Sequence, residues 1–313
     1  MKASLAGPDV WPWPRWLAHR GAGKLAPENT LAAFRLGASH GFRAFECDVK
    51  LSADGQPFLL HDATLDRTSN AQGTAGERCW SDLAQLDAGS WHSSAYAGEP
   101  LPHLADIARF CLHNGYVLNL EIKPTPGDAD RTGRVVAQAV RALWGADVAA
   151  GRSTWPLLSS FEPAALDAAR LAAPELPRAL LADTLWTEAI APGQLSAQTL
   201  DAAATVADAG PADRPAGSAQ TEQPPGARLL TWLAVAQGVG CVACVLEHEL
   251  VDAALIRRLH GLGLRAMVYT VNDPVRAAEL LSWGLDGVIT DAVDVMTPTG
   301  QSARVTAALP RVG

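Results

Sequence analysis

With 313 residues, 48% apolar and 19% charged, the chain can bury a full core as one large domain and has an ordinary balance for a folded protein. A net charge of -8 excludes a nonspecific nucleic-acid binder, which needs surplus Lys and Arg to neutralise phosphates. The opening "MKASLAGPDVWPWPRW" is broken by Asp9 and three prolines, no run approaches the roughly 20 apolar residues that span a bilayer, and the five cysteines are an odd set without framework spacing. The expectation is a reduced, cytoplasmic protein without membrane insertion.

In chain order, a strand is expected over 16–21 ("WLAHRG"), a helix over 29–41 and a second strand over 42–51 ("FRAFECDVKL"). A turn then sends the chain back in a hairpin that ends at His61. Residues 63–105 are too long for a simple connection and are read as a small insertion capping the barrel mouth. Further strands follow at 116–123, 156–161 and 177–183, with helices at 131–146 and 162–173. Residues 199–228, rich in Ala, Gly, Pro and Asp, read as a flexible low-complexity loop. Strands at 240–248, 265–272 and 286–291 close the series, separated by helices at 250–263 and 273–284. Eight strands alternating with helices predict a single domain over 1–313, an α/β (β/α)8 TIM barrel with a small insertion after strand 2. The competing open doubly wound sheet lacks its Gly-rich dinucleotide turn after strand one.

Side chains on a strand alternate faces, so Glu46 and Asp48 point one way and Cys47 the other. The same rule puts Asn119, Glu121 and Lys123 on one face, against Leu118, Leu120 and Ile122. Three carboxylates converging from neighbouring strands repel unless a cation sits among them, and oxygen ligands favour Mg²⁺ or Ca²⁺. The blander alternative is that the acids pair with Arg43, Lys50 or Lys123. His19 and His61 end strand one and the hairpin, flanking the cluster, where one imidazole could take a proton and the other give one. Asp62 either orients a ring or caps the turn. Arg20 and Lys123 add positive charge suited to a phosphate whose charge grows in the transition state. "CVAC" (241–244) spaces its cysteines onto opposite strand faces and reads as core. "WPWPRW" reads as a lead-in plugging the barrel floor.

Eight motifs then occur in one order: "AHRG" (18–21), "APENT" (26–30), "ECD" (46–48), "LLHD" (59–62), "LEIKP" (120–124), "SSF" (159–161), "VYTVND" (268–273) and "GVITD" (287–291). In these the chain resembles the glycerophosphodiester phosphodiesterases, and within them the cytoplasmic bacterial branch associated with glycerol 3-phosphate uptake. The resemblance covers nearly the whole chain outside 199–228, a stretch longer than expected for the compact bacterial form. It implies a (β/α)8 barrel and metal-dependent hydrolysis of glycerophosphodiesters to an alcohol and sn-glycerol 3-phosphate. By position it implies Glu46, Asp48 and Glu121 as ligands of one divalent cation, Mg²⁺ or Ca²⁺, and His19 and His61 as the acid–base pair. Arg20 and Lys123 would grip the phosphate, and Phe161 and Tyr269 would line the glycerol pocket. His19 is expected as base and His61 as acid, a direction the sequence does not fix; the nucleophile is water or the adjacent glycerol hydroxyl. The rivals are a barrel acting on lipid head groups and a barrel that binds a phosphorylated ligand without turnover.

Overall fold

The computed structural model describes residues 11–183, 225–296 and 298. Strands β1 (Trp16–Ala18), β2 (Ala44–Leu51), β3 (Pro57–Leu59), β4 (Val117–Ile122) and β5 (Leu157–Ser160) come first. Strands β6 (Arg178–Ala182), β7 (Ala243–Glu247), β8 (Arg265–Tyr269) and β9 (Gly287–Thr290) complete the sheet. Its order is β1-β9-β8-β7-β6-β5-β4-β2-β3, and β1 also pairs with β2. Every pairing except β2–β3 is parallel, so eight strands close into a barrel and β3 hangs from β2 as its antiparallel hairpin partner. Each of the eight expected strands forms within its expected run.

The helices are α1 (Leu31–Ser39), the short α2 (Trp80–Leu83), α3 (Leu104–Asn114), α4 (Ala129–Ala149) and α5 (Pro163–Ala172). They continue with α6 (Pro225–Gly238), α7 (Ala253–Gly261) and α8 (Pro274–Ser282). Local chemistry sets their ends. Thr30 caps α1 by accepting from the Ala33 N–H, and Asp252 and Asp273 cap α7 and α8 in the same manner. Gly115, at φ 67°, ends α3 in the left-handed region that suits glycine. Three of the described helices were not expected, the first being the short α2 within the segment read as insertion. Helix α3 begins at Leu104, inside the segment read as insertion, and buries Leu104, Ile107, Ala108 and Cys111 at helical spacing. Helix α6 takes the last four residues of the stretch read as a flexible loop, a correction at 225–228; residues 199–224 lie outside the described residues.

Strand alternation sorts the core into layers. Leu17, Ala44, Leu157, Ala179, Leu181, Ala243, Val245, Met267 and Ile289 pack together inside the barrel, with Trp11 and Trp13 against them. Their neighbours on the same strands face outward under the helices, as Phe45, Cys47 and Val49 of β2 and Leu118, Leu120 and Ile122 of β4 do. Cys241 and Cys244 are both buried, free thiols in the outer layer, a correction to the expected opposite faces, because Cys241 precedes β7 and strand alternation does not apply to it. Between β3 and α3, Phe58, Leu60, Leu65, Ala75, Leu83, Ala88 and Leu101 form a satellite cluster of their own.

Candidate active site

Glu46 and Asp48 are on the inner face of β2, and the β2–β4 register sets Asp48 opposite Glu121. One carboxylate oxygen from each of the three lies within 4.8 Å of the others, and all three side chains are buried. Burial, then the Asp48 and Glu121 charges, pushes the Glu46 pKa up to about 8. Burial and Asp48 likewise raise Glu121. For Asp48, burial is outweighed by Arg20, Lys123 and His61 and by a bond from Asn29, so its pKa falls below the usual carboxylate value. Glu46 Oε1 is buried without a hydrogen-bond partner. A buried carboxylate with one unsatisfied oxygen, beside two further carboxylates, is costly unless a cation completes it. The all-oxygen donor set fits a hard divalent ion.

His19 follows β1 and His61 follows β3, and each ring is held through Nδ1. His19 Nδ1 lies 2.7 Å from Asp291 Oδ1, and His61 Nδ1 lies 2.7 Å from Asp62 Oδ1. A carboxylate can only accept, so each Nδ1 carries the proton and each Nε2 is left for the site. The far nitrogen, His19 Nε2, accepts from Arg20 Nε at 3.2 Å and stands 3.6 Å from Glu46 Oε2. Burial alone would lower the His19 pKa; the Asp291 bond and the Glu46 charge outweigh it, leaving it raised. Burial, with Arg20 and Lys123, leaves the His61 pKa lowered although Asp48 and Asp62 oppose this.

Arg20 adopts a left-handed backbone (φ 49°), an uncommon state for a non-glycine residue and one that recurs at functional sites. That geometry turns its own N–H onto Glu46 Oε2 at 3.2 Å, while its Nε sits 3.4 Å from Asp48 Oδ2. Lys123 Nζ donates to Glu121 Oε1 at 2.9 Å and lies 3.9 Å from Asp48 Oδ1. Of the three alternative partners, Lys123 thus does pair with the acids, whereas Arg43 bonds the Ala38 and Phe42 carbonyls and Lys50 Nζ bonds the Lys123 carbonyl. Lys123 Nζ also sits 5.7 Å from the Phe161 ring centroid, and Phe161 meets Tyr269 edge-on at 6.1 Å. The Tyr269 hydroxyl donates to the Ala182 carbonyl at 3.2 Å. A cavity of about 330 Å³ is lined by His61, Glu121, Lys123 and Phe161 together. All nine residues singled out from sequence therefore meet at the C-terminal end of the barrel strands.

Three supporting residues escaped the sequence reading although each sits in a motif noted there. Asp291 closes "GVITD", and its contact with His19 exists only because β9 pairs with β1. Asn29, at φ 61°, donates through Nδ2 to Asp48 Oδ2 at 2.8 Å and accepts from the Asp48 N–H at 3.0 Å. Glu28 accepts from Arg20 Nη1 at 2.8 Å. The signal was a polar run, "PENT", between two apolar segments, which alone reads as a turn.

A parallel barrel whose strand ends gather three carboxylates, two imidazoles and two fixed cations has the equipment of a metal-assisted phosphoester hydrolase. The glycerophosphoryl diester phosphodiesterase family matches the chain over residues 19–295. The chain belongs to that family and is an enzyme of that kind. YhdW of Bacillus subtilis strain 168, which carries the name of a glycerophosphodiester phosphodiesterase, is 26% identical over 291 residues, covering 92% of this chain and 99% of its own. A phosphodiesterase of Oleispira antarctica, solved in complex with the product sn-glycerol-3-phosphate, superposes at a TM-score of 0.67 with 26% identity. The alignment covers 90% of this chain and 94% of that one. A glycerophosphodiester phosphodiesterase of Agrobacterium tumefaciens shares the fold at a TM-score of 0.63 and 24% identity, over 90% and 97% of the two chains.

Proposed function

We propose that this site hydrolyses glycerophosphodiesters such as glycerophosphocholine and glycerophosphoethanolamine to an alcohol and sn-glycerol 3-phosphate. This would serve glycerophospholipid breakdown and glycerol metabolism in the cytoplasm. The observation that carries the reading is the clustering of Glu46, Asp48 and Glu121 within 4.8 Å, with His19 3.6 Å from Glu46. Those three acids would hold one divalent cation, Mg²⁺ or Ca²⁺, which when bound supplies positive charge to the nonbridging phosphate oxygens. Arg20 and Lys123 would grip the same oxygens, and Phe161 and Tyr269 would offer an apolar wall to the glycerol carbons. Residues 63–105 would cap this mouth.

His19 acts as base through Nε2, removing the proton from the nucleophile, water or the adjacent glycerol hydroxyl, as the new P–O bond forms. The hydroxyl route gives a cyclic phosphate first, which water then opens to the monoester. His61 gives its proton to the departing alkoxide oxygen as the old P–O bond breaks. The Nδ1–H bond to Asp291 and the acceptor role toward Arg20 suit His19 to the base's part. The pKa directions, raised for His19 and lowered for His61, lean the other way. A cation beside Glu46 would offset one of the charges that raises His19, so the hydrogen-bond geometry sets the assignment.

Turnover of glycerophosphocholine, coupled to glycerol 3-phosphate dehydrogenase, tests the reading with wild type, His19→Ala and His61→Ala. Each variant is expected to lose about 10²–10⁴-fold in kcat while staying folded. An aryl diester, whose alcohol leaves without protonation, should restore His61→Ala and leave His19→Ala inactive. The reverse pattern would exchange the two roles; wild-type rates in either variant would end the proposal.

A further inference from the structure

We propose that Arg67 is a positioning residue of this site, a strut that fixes the Asp62–His61 pair and the Glu28–Arg20 pair in one frame. The inference rests on the reading of His61 as a proton carrier.

Arg67 lies beyond β3, and its guanidinium spends its donors on two carboxylates. Toward Asp62, Nε donates to Oδ2 at 2.7 Å and Nη2 to Oδ1 at 3.0 Å. Toward Glu28, Nη1 donates to Oε2 at 2.7 Å and Nη2 to Oε1 at 2.8 Å. Both oxygens of both acids are engaged, so neither carboxylate is free to rotate. Each acid then carries one active-site group: Asp62 Oδ1 holds His61 Nδ1 at 2.7 Å, and Glu28 Oε1 holds Arg20 Nη1 at 2.8 Å. Hydrogen bonds to Arg67, against a smaller effect of burial, keep the Asp62 carboxyl far below its usual range, so it stays an acceptor for the ring.

An ordinary surface ion pair does not have this form. The Arg67 side chain is 44% exposed. Isolated pairs at that exposure contribute little to stability; a bidentate network contributes more, but stability alone does not account for both of its acids holding an active-site group. Removing the guanidinium leaves Glu28 and Asp62 as like charges with nothing between them. Asp62 is released, and with it the aim of His61 Nε2. Proton transfer needs that nitrogen within hydrogen-bond reach of the reacting oxygen, and about 1 Å of misplacement costs roughly 10²-fold. Lysine cannot replace the strut, because one ammonium cannot present parallel donor pairs to two carboxylates.

The test compares Arg67→Met, Arg67→Lys and His61→Ala in the full, metal-loaded chain. Substrates are glycerophosphocholine and its aryl-alcohol counterpart. Arg67→Met should lose roughly 10- to 100-fold in kcat on glycerophosphocholine, with KM within about threefold of wild type. The ratio of its losses on the two substrates should follow the ratio for His61→Ala, whichever proton His61 moves. Arg67→Lys should fold as wild type does and still lose kcat, which keeps the question decidable if the methionine variant misfolds. Wild-type kcat in Arg67→Lys would show that charge alone suffices and overturn the strut. A loss confined to KM, or a substrate ratio unlike that of His61→Ala, would also overturn it, by making Arg67 a substrate contact. Undiminished turnover by His61→Ala would instead remove the reading beneath the inference.

Discussion

His19 and Asp291 are 272 positions apart in the chain and 2.7 Å apart in space. The bond does two things: it puts the ring proton on Nδ1, and its negative partner raises the imidazole pKa against the lowering effect of burial. Asp291→Asn keeps the shape and removes the charge, so the His19 pKa should fall. If His19 is the base, the acidic limb of the kcat/KM profile then moves to lower pH. Its kcat should drop by roughly 10²-fold, because an amide can also donate and so favour the wrong tautomer. A profile whose acidic limb stays in place would show that Asp291 does not tune this ring. Asp62 plays the corresponding part for His61 and was legible as a candidate, since it stands next to the histidine. Asp291 was not, because nothing local distinguishes it from any acid after a strand.

Among the elements, the contact of α4 with α5 is the most exacting. Gly133 of α4 is so close to α5 that an added Cβ would lie 2.0 Å from the Ala165 carbonyl oxygen. Backbone cannot yield as a flexible side chain does, so Gly133→Ala must push the helices apart. The expected loss is about 1–3 kcal/mol in denaturant unfolding. Activity at low temperature should survive, because the site is on strand ends and loops. Unchanged stability would mean that the helices can slide at no cost. The strands were the most readable elements, their inward polar residues alternating with outward apolar ones on β2 and β4. Helix α3 was readable too: Leu104, Ile107, Ala108 and Cys111 have its period, but the preceding irregular run obscured where it starts.

For the molecule as a whole, the carboxylate cluster couples ion binding to stability. The Glu46 pKa is about 8 in the folded chain against an ordinary 4.5. Between those values the folded state holds more protons than the unfolded state, so stability without the ion falls as pH rises through that window. Metal ligands must be deprotonated, so binding strengthens over the same range. Thermal melts in EDTA and in Mg²⁺ or Ca²⁺ should therefore diverge from pH 5 to pH 8, with the ion-loaded Tm higher. EDTA should also abolish turnover, and the added ion should restore it. A Tm gap that does not change with pH would argue against Glu46 as a ligand.

By itself the sequence determined the strand count, the parallel α/β order and the sidedness of Glu46, Asp48, Asn119 and Glu121, since periodicity and alternation are local properties of a chain. Tertiary structure alone decided which groups meet. Pairing of β1 with β9 brings Asp291 to His19, and the loop after β3 brings Arg67 to Glu28. Contacts of this kind depend on how the sheet closes, and closure leaves no periodic trace among the residues it joins.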